Sequence, residues 1–168
     1  TTRVMPNGNY TMLAYDASQT LKGEIKGTVS GGVFTATSTN QDILLEPGSY
    51  EFVCYNDKVI RSGNNLIVTK NNAKEALIGR EPKNITATPK KQIVLFDMRR
   101  VASRIRVKLT GWLKFPAVTA TLESVNSTDV PSSTIYNAAT GTWTNGPGGA
   151  VSENLTYPAS PNDPSADK

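Results

Sequence analysis

The chain has no histidine and a single cysteine in 168 residues. Without imidazole, Ser-His-Asp and Cys-His catalysis fall away, and most zinc chemistry goes with them. Cys54 has no second cysteine with which to close an internal disulfide. It sits in YEFVCYN, where alternation places it among strand residues. There it reads as a small buried hydrophobe, since no histidine is present to turn its thiol into a nucleophile. Aromatic residues are only 7% of the chain. No apolar run approaches the length of about 18 residues that a membrane-spanning helix requires. P-loop, GxGxxG, CxxC and EF-hand patterns are all missing, and acids such as Asp42, Glu46 and Asp57 lack metal-ligand spacing. No cofactor and no metal is implied. An enzyme would have to work with carboxylates alone, which meet only in space. The chain is therefore read as non-enzymatic.

What is abundant is Gly, Pro, Asn, Ser and Thr, beside a modest 38% of hydrophobic residues. That balance suits a loop-rich all-β protein. Asn9–Tyr15 alternates, with Tyr10, Met12 and Ala14 on one face and Thr11, Leu13 and Tyr15 on the other. Asp16 and Ser18 supply a turn. Leu21–Val29 alternates loosely, Ser30-Gly31-Gly32 signals a hairpin, and Val33–Thr37 is its return strand. Glu46-Pro47-Gly48 presets a turn before the strand that carries Tyr50, Phe52 and Cys54. Ser62-Gly63-Asn64-Asn65 is a further hairpin candidate, between Lys58–Arg61 and Leu66–Lys70. KEALIGR, residues 74–80, is open between a strand and a single helical turn. Seven to nine short strands separated by Gly/Pro/Asn turns predict a two-sheet β-sandwich. Residues 1–125 form its expected core. Residues 126–168 hold five of the ten prolines and read as further short strands and a tail or linker.

The chain carries a formal charge of +4, yet residues 90–108 hold seven Lys/Arg against one Asp. The basic character is local. This stretch, KKQIVLFDMRRVASRIRVK, opens on the apolar run Ile93–Phe96 and closes on strict alternation of Arg104, Arg106 and Lys108 with Ile105 and Val107. It predicts one long bent strand, or two strands that meet near Arg99-Arg100, with the basic stripe on its wet face. No aromatic residues interleave with these cations, so nucleic acid is not the expected partner. Four N-x-S/T matches, at Asn9, Asn84, Asn126 and Asn154, matter only in a eukaryotic secretory pathway.

YTMLAYDAS near the start, LEPGSYEFVCYN in the middle and FDMRRVASRIRVKLTG later follow one another in order. Together they resemble the fimbrillin-like family of Bacteroides-type (type V) pili and their tip or anchor proteins, over about residues 9–125. The resemblance implies a transthyretin-like (immunoglobulin-like) β-sandwich, paired with a second such domain in the full protein. It implies export as a lipoprotein to the outer membrane and cell surface. The chain itself would meet the membrane only through a lipid anchor outside it. It implies polymerisation with other pilin subunits, in which an arginine-specific protease removes an amino-terminal strand and a neighbour's strand fills the groove left behind. Arg3 is the candidate processing site. The chain begins at Thr1-Thr2-Arg3 without a lipobox cysteine and is too short for two domains, so a trimmed product or a fragment is expected. The rival expectation is a glycan- or host-protein-binding module of a surface lipoprotein, with Trp112, Tyr136 and Trp143 as contact rings.

Overall fold

A computed structural model describes residues 5–103 and 119–155. The fold is all-β, with no helix among the described residues. The strands are β1 Gly8–Asp16, β2 Leu21–Ser30, β3 Val33–Ala36, β4 Gly48–Asn56, β5 Ile60–Ser62, β6 Asn65–Thr69 and β7 Leu77–Ile85. They continue with β8 Arg99–Arg100, β9 Ala120–Glu123, β10 Val130–Pro131, β11 Ser133–Asn137, β12 Thr142–Asn145, β13 Gly148–Gly149 and β14 Ser152–Leu155. The chain divides into two compact units.

The first unit runs to Ala102 and takes up the chain again at Ser133–Asn145. It holds a six-stranded antiparallel sheet, β3-β2-β1-β4-β7-β8, and a four-stranded one, β12-β11-β6-β5. The sandwich thus has ten strands rather than seven to nine, because several are two to four residues long. Its turns follow from local chemistry. The Asp16 carboxylate accepts the N–H groups of Ser18 and Thr20, both at 2.9 Å, and closes the β1–β2 turn. Gly31 and Gly32 both have positive φ, 58° and 82°, which the two-residue β2–β3 turn requires.

The six-stranded sheet is buried on both faces. Leu13, Tyr15, Val53, Tyr55 and Ile78 form the inner face and pack with Leu66, Val68 and Tyr136 of the four-stranded sheet. Tyr10, Cys54 and Leu77, with Ala14, Tyr50 and Phe52, form the outer face. Among the described residues of this unit, no third sheet covers that outer face. Two stretches outside any ladder do so, through Ile43 and Leu45 and through Val94, Phe96 and Met98.

The second of these stretches corrects the expected strand. Between residues 90 and 103 only Arg99–Arg100 pairs, with Leu77 and Ile78. Residues 92–98 alternate strictly between half-buried and exposed, as a strand would, but join no ladder. The reason lies at Gly79. A side chain there would meet Met98 Sδ at 2.7 Å and the Asp97 carbonyl at 3.1 Å. Its absence lets the segment drop onto the face of the sheet. Burial of Val94, Phe96 and Met98 at roughly 25 cal/mol per Å² outweighs a few edge hydrogen bonds, each worth about 1 kcal/mol net.

Residues 74–80, open in the sequence, split into a turn and the start of β7. Residues 133–145 supply two of the further short strands expected beyond residue 125, and β11 lies between β12 and β6 in the four-stranded sheet.

The second unit, among the described residues, consists of two short ladders, β9 with β14 and β10 with β13. Ser124 and Val151 exchange two hydrogen bonds there, Ser124 N–H to the Val151 carbonyl at 3.0 Å and Val151 N–H to Ser124 Oγ at 3.1 Å.

Candidate functional site

A sheet border carries a row of unpaired N–H and C=O groups, and whether it accepts a foreign strand depends on how it is guarded. The sandwich has four such borders among the described residues. On the β7–β8 side, β8 covers only Leu77 and Ile78 and presents two arginines. The rest of β7 contains Pro82, which has no N–H to donate to a visitor. The β5 border is three residues long and carries Arg61. The β12 border is four residues long, and Gly146-Pro147 follows it directly. The β3 border differs from these. From Ser30 to Thr39 the chain has neither a charge nor a proline. Val33 and Phe34 are both exposed there. Phe34 also lies over Gly27, where an added Cβ would meet its ring at 2.4 Å. That seats β3 flat against β2, with its free rim outward.

Two arginines clamp the sandwich beside these borders. Arg61 on β5 donates from Nη1 to Glu24 Oε2 on β2 at 2.5 Å, so the pair bridges the two sheets. Burial alone would raise the Glu24 pKa, but the bonds from Arg61 and Lys26 outweigh it and hold the carboxyl below its ordinary value of 4.5. Arg80 on β7 pairs through Nε with Glu51 Oε2 at 3.0 Å and donates from Nη1 to the Ala138 carbonyl at 2.8 Å. Gly141, at φ 77°, leaves room for that guanidinium, since a Cβ there would stand 3.2 Å from its central carbon. Neither clamp was legible beforehand, because Glu24 and Arg61 are 37 residues apart and Arg80 sat in the ambiguous KEALIGR stretch.

Glu24 makes a pH prediction. A carboxyl whose folded pKa is depressed contributes stability that is present above its unfolded value and lost as pH falls through the folded one. Glu24→Gln should therefore lower the unfolding free energy at pH 7 by about 1–2 kcal/mol. The difference from the parent should shrink as pH falls below 4.5. Urea unfolding at a series of pH values measures this; a difference that stays constant through acid would show that the carboxylate charge contributes nothing.

The residues named from sequence fall out as follows. Arg3, Arg104, Arg106, Lys108 and Trp112 lie outside the described residues. Tyr136 is not a surface contact ring. It is only 4% exposed, belongs to the core between the sheets, and packs its ring 4.7 Å from that of Trp143. Its burial follows from its place on the second strand of the four-stranded sheet, where it packs into the core between the sheets. Trp143 is 49% exposed at the β12 border, so of the three rings it alone, among the described residues, reaches solvent. Cys54 is buried, and burial pushes its thiol up to about 12. No group of His, Cys, Asp and Glu that would hold a metal occurs among the described residues. Compared with known proteins, the chain matches no family model, no curated protein and no solved structure.

Proposed function

We propose that this chain is a structural or adhesive subunit of a bacterial surface fimbria, and that subunits join by strand addition. The observation that carries the reading is the β3 border, uncharged and free of proline from Ser30 to Thr39, whereas β5 and β8 carry arginines, β7 contains Pro82, and β12, of the same length as β3 and also uncharged, runs directly into Gly146-Pro147. A strand laid along β3 would form a row of main-chain hydrogen bonds, each worth about 0.5–1.5 kcal/mol net. Apolar side chains set beside Val33 on one face of the sheet and beside Phe34 on the other would add about 1.5–3 kcal/mol each. Such a contact is head-to-tail and does not close on itself, so it propagates as a filament. The resemblance to fimbrillin-like proteins supplies the biological setting: partner pilins of the same or a related kind, on the outer face of the outer membrane. No catalytic step is assigned to the chain. A glycan-binding role draws less support, because the expected aromatic platform reduces to Trp143 among the described residues.

The test is assembly of the protein, trimmed near its amino terminus, followed by light scattering after size exclusion. Oligomers that grow with concentration are expected. Val33→Lys with Thr35→Lys places two charges on the proposed acceptor rim and should abolish growth beyond a dimer while the thermal midpoint stays within a few degrees. Growth beyond a dimer that persists in the double variant would remove β3 as the acceptor, and the absence of any species larger than a dimer in the parent at every concentration would remove the reading.

A further inference from the structure

Three aliphatic side chains stand bare on one face of the first unit. Leu44 is 91% exposed, Ile93 75% and Leu95 81%. Each is flanked by residues that point the other way: Ile43, Leu45, Val94 and Phe96 all pack on the same buried cluster with Ala14, Tyr50 and Phe52. Residues 43–45 and 92–98 are therefore two neighbouring covers of one sheet face, and their outward side chains share one surface. The bare aliphatics are an apolar patch of the kind that marks a docking surface.

The rim of the patch says what docks. Asp42 and Glu46 lie two residues to either side of Leu44 and are exposed on its side. Lys91 lies two residues before Ile93, with Lys90 next to it, and both are exposed. None of these four charges has an ion partner among the described residues. The next charges along the ribbon, Asp97 and Arg99, pair with each other at 3.0 Å. The patch thus joins a ribbon whose exposed aliphatic is flanked by acids to a ribbon that opens on two lysines, with two unpaired charges of each sign among the described residues.

We infer that this face binds the same face of a second copy of the chain. Under a two-fold axis the bare aliphatics meet, and the acidic ribbon of each copy faces the basic ribbon of the other. An anionic lipid surface fits less well, because it would attract Lys90 and Lys91 while repelling Asp42 and Glu46. The contact is lateral and closes on itself. It uses side chains rather than a free strand rim, so it is separate from strand addition at β3.

The experiment is sedimentation equilibrium of the full chain from low micromolar to millimolar concentration. A dimer is expected, and Leu95→Glu should weaken it at least about tenfold. Two charge variants sharpen the test. Asp42→Lys with Glu46→Lys makes both ribbons basic, and Lys90→Glu with Lys91→Glu makes both ribbons acidic. Each should be monomeric alone, and mixing the two should restore a dimer. The Val33→Lys, Thr35→Lys variant should still dimerise, which separates this contact from filament growth. A monomer throughout the range, or a dimer indifferent to all these changes, overturns the inference. So does binding to phosphatidylglycerol vesicles in the absence of any self-association.

Discussion

Phe96→Ala is expected to raise the reaction rate of Cys54 with a maleimide by roughly ten- to a hundredfold while leaving the sandwich folded. Cys54 lies beneath the 92–98 segment, in the cluster with Tyr10, Val29 and Leu77 that Phe96 and Met98 cover. Its thiol is shielded twice over, by lack of access and by a pKa of about 12 that leaves almost no thiolate at neutral pH. Reaction therefore requires the cover to lift. The segment makes no ladder of its own between residues 92 and 98, so side-chain burial is the main thing holding it down. Removing the Phe96 ring withdraws about 1.5–3 kcal/mol of that burial, which is the expected factor in rate. The single cysteine makes the readout unambiguous. Labelling kinetics and a thermal melt on the same sample decide the matter. A rate that rises only in proportion to the loss of global stability would mean that the segment unfolds with the sandwich and is not a separate cover.

Tyr136→Ala is expected to cost about 3–5 kcal/mol of folding stability and to lower the thermal midpoint by roughly 10 °C or more. The ring fills the space between the two sheets, beside Leu66 and Val68 and against Trp143. Its hydroxyl lies 3.4 Å from Arg80 Nη1, next to the clamp on the Ala138 carbonyl, so the substitution also loosens that corner. Trp143→Ala, at the exposed border, should cost about 1 kcal/mol or less beyond the lost ring contact. Denaturant unfolding of the two variants distinguishes a core residue from a surface ring. Equal, small losses would mean that Tyr136 is no more part of the core than Trp143.

Much of the sandwich was readable because its strands obey period two. Tyr10, Met12 and Ala14 do face away from Leu13 and Tyr15 on β1. The turns at Asp16 and at Gly31-Gly32 fell where short polar side chains and glycines predict them. The candidate site was less legible. That β3 is a border, and that it is the unguarded one, depends on strand order, which alternation does not encode. The Arg61–Glu24 and Arg80–Glu51 clamps join residues distant in sequence, and no local pattern marks them. Tyr136 lies on one of the short strands expected beyond residue 125, but whether its ring is covered depends on β6 and the facing sheet, which its own few residues do not encode.

The amino-acid order on its own determined the all-β class, the position of the principal hairpins and the absence of histidine chemistry, since each follows from side-chain type and spacing within a few residues. Only the tertiary structure decided that residues 92–98 cover a face instead of extending a sheet, and that β11 and β12 complete the core. Those outcomes turn on free-energy differences between distant partners competing for the same buried surface, Met98 against a missing side chain at Gly79 being the clearest case. Such competition is settled in space, where the apolar area each arrangement removes from water outweighs the local preference of the backbone.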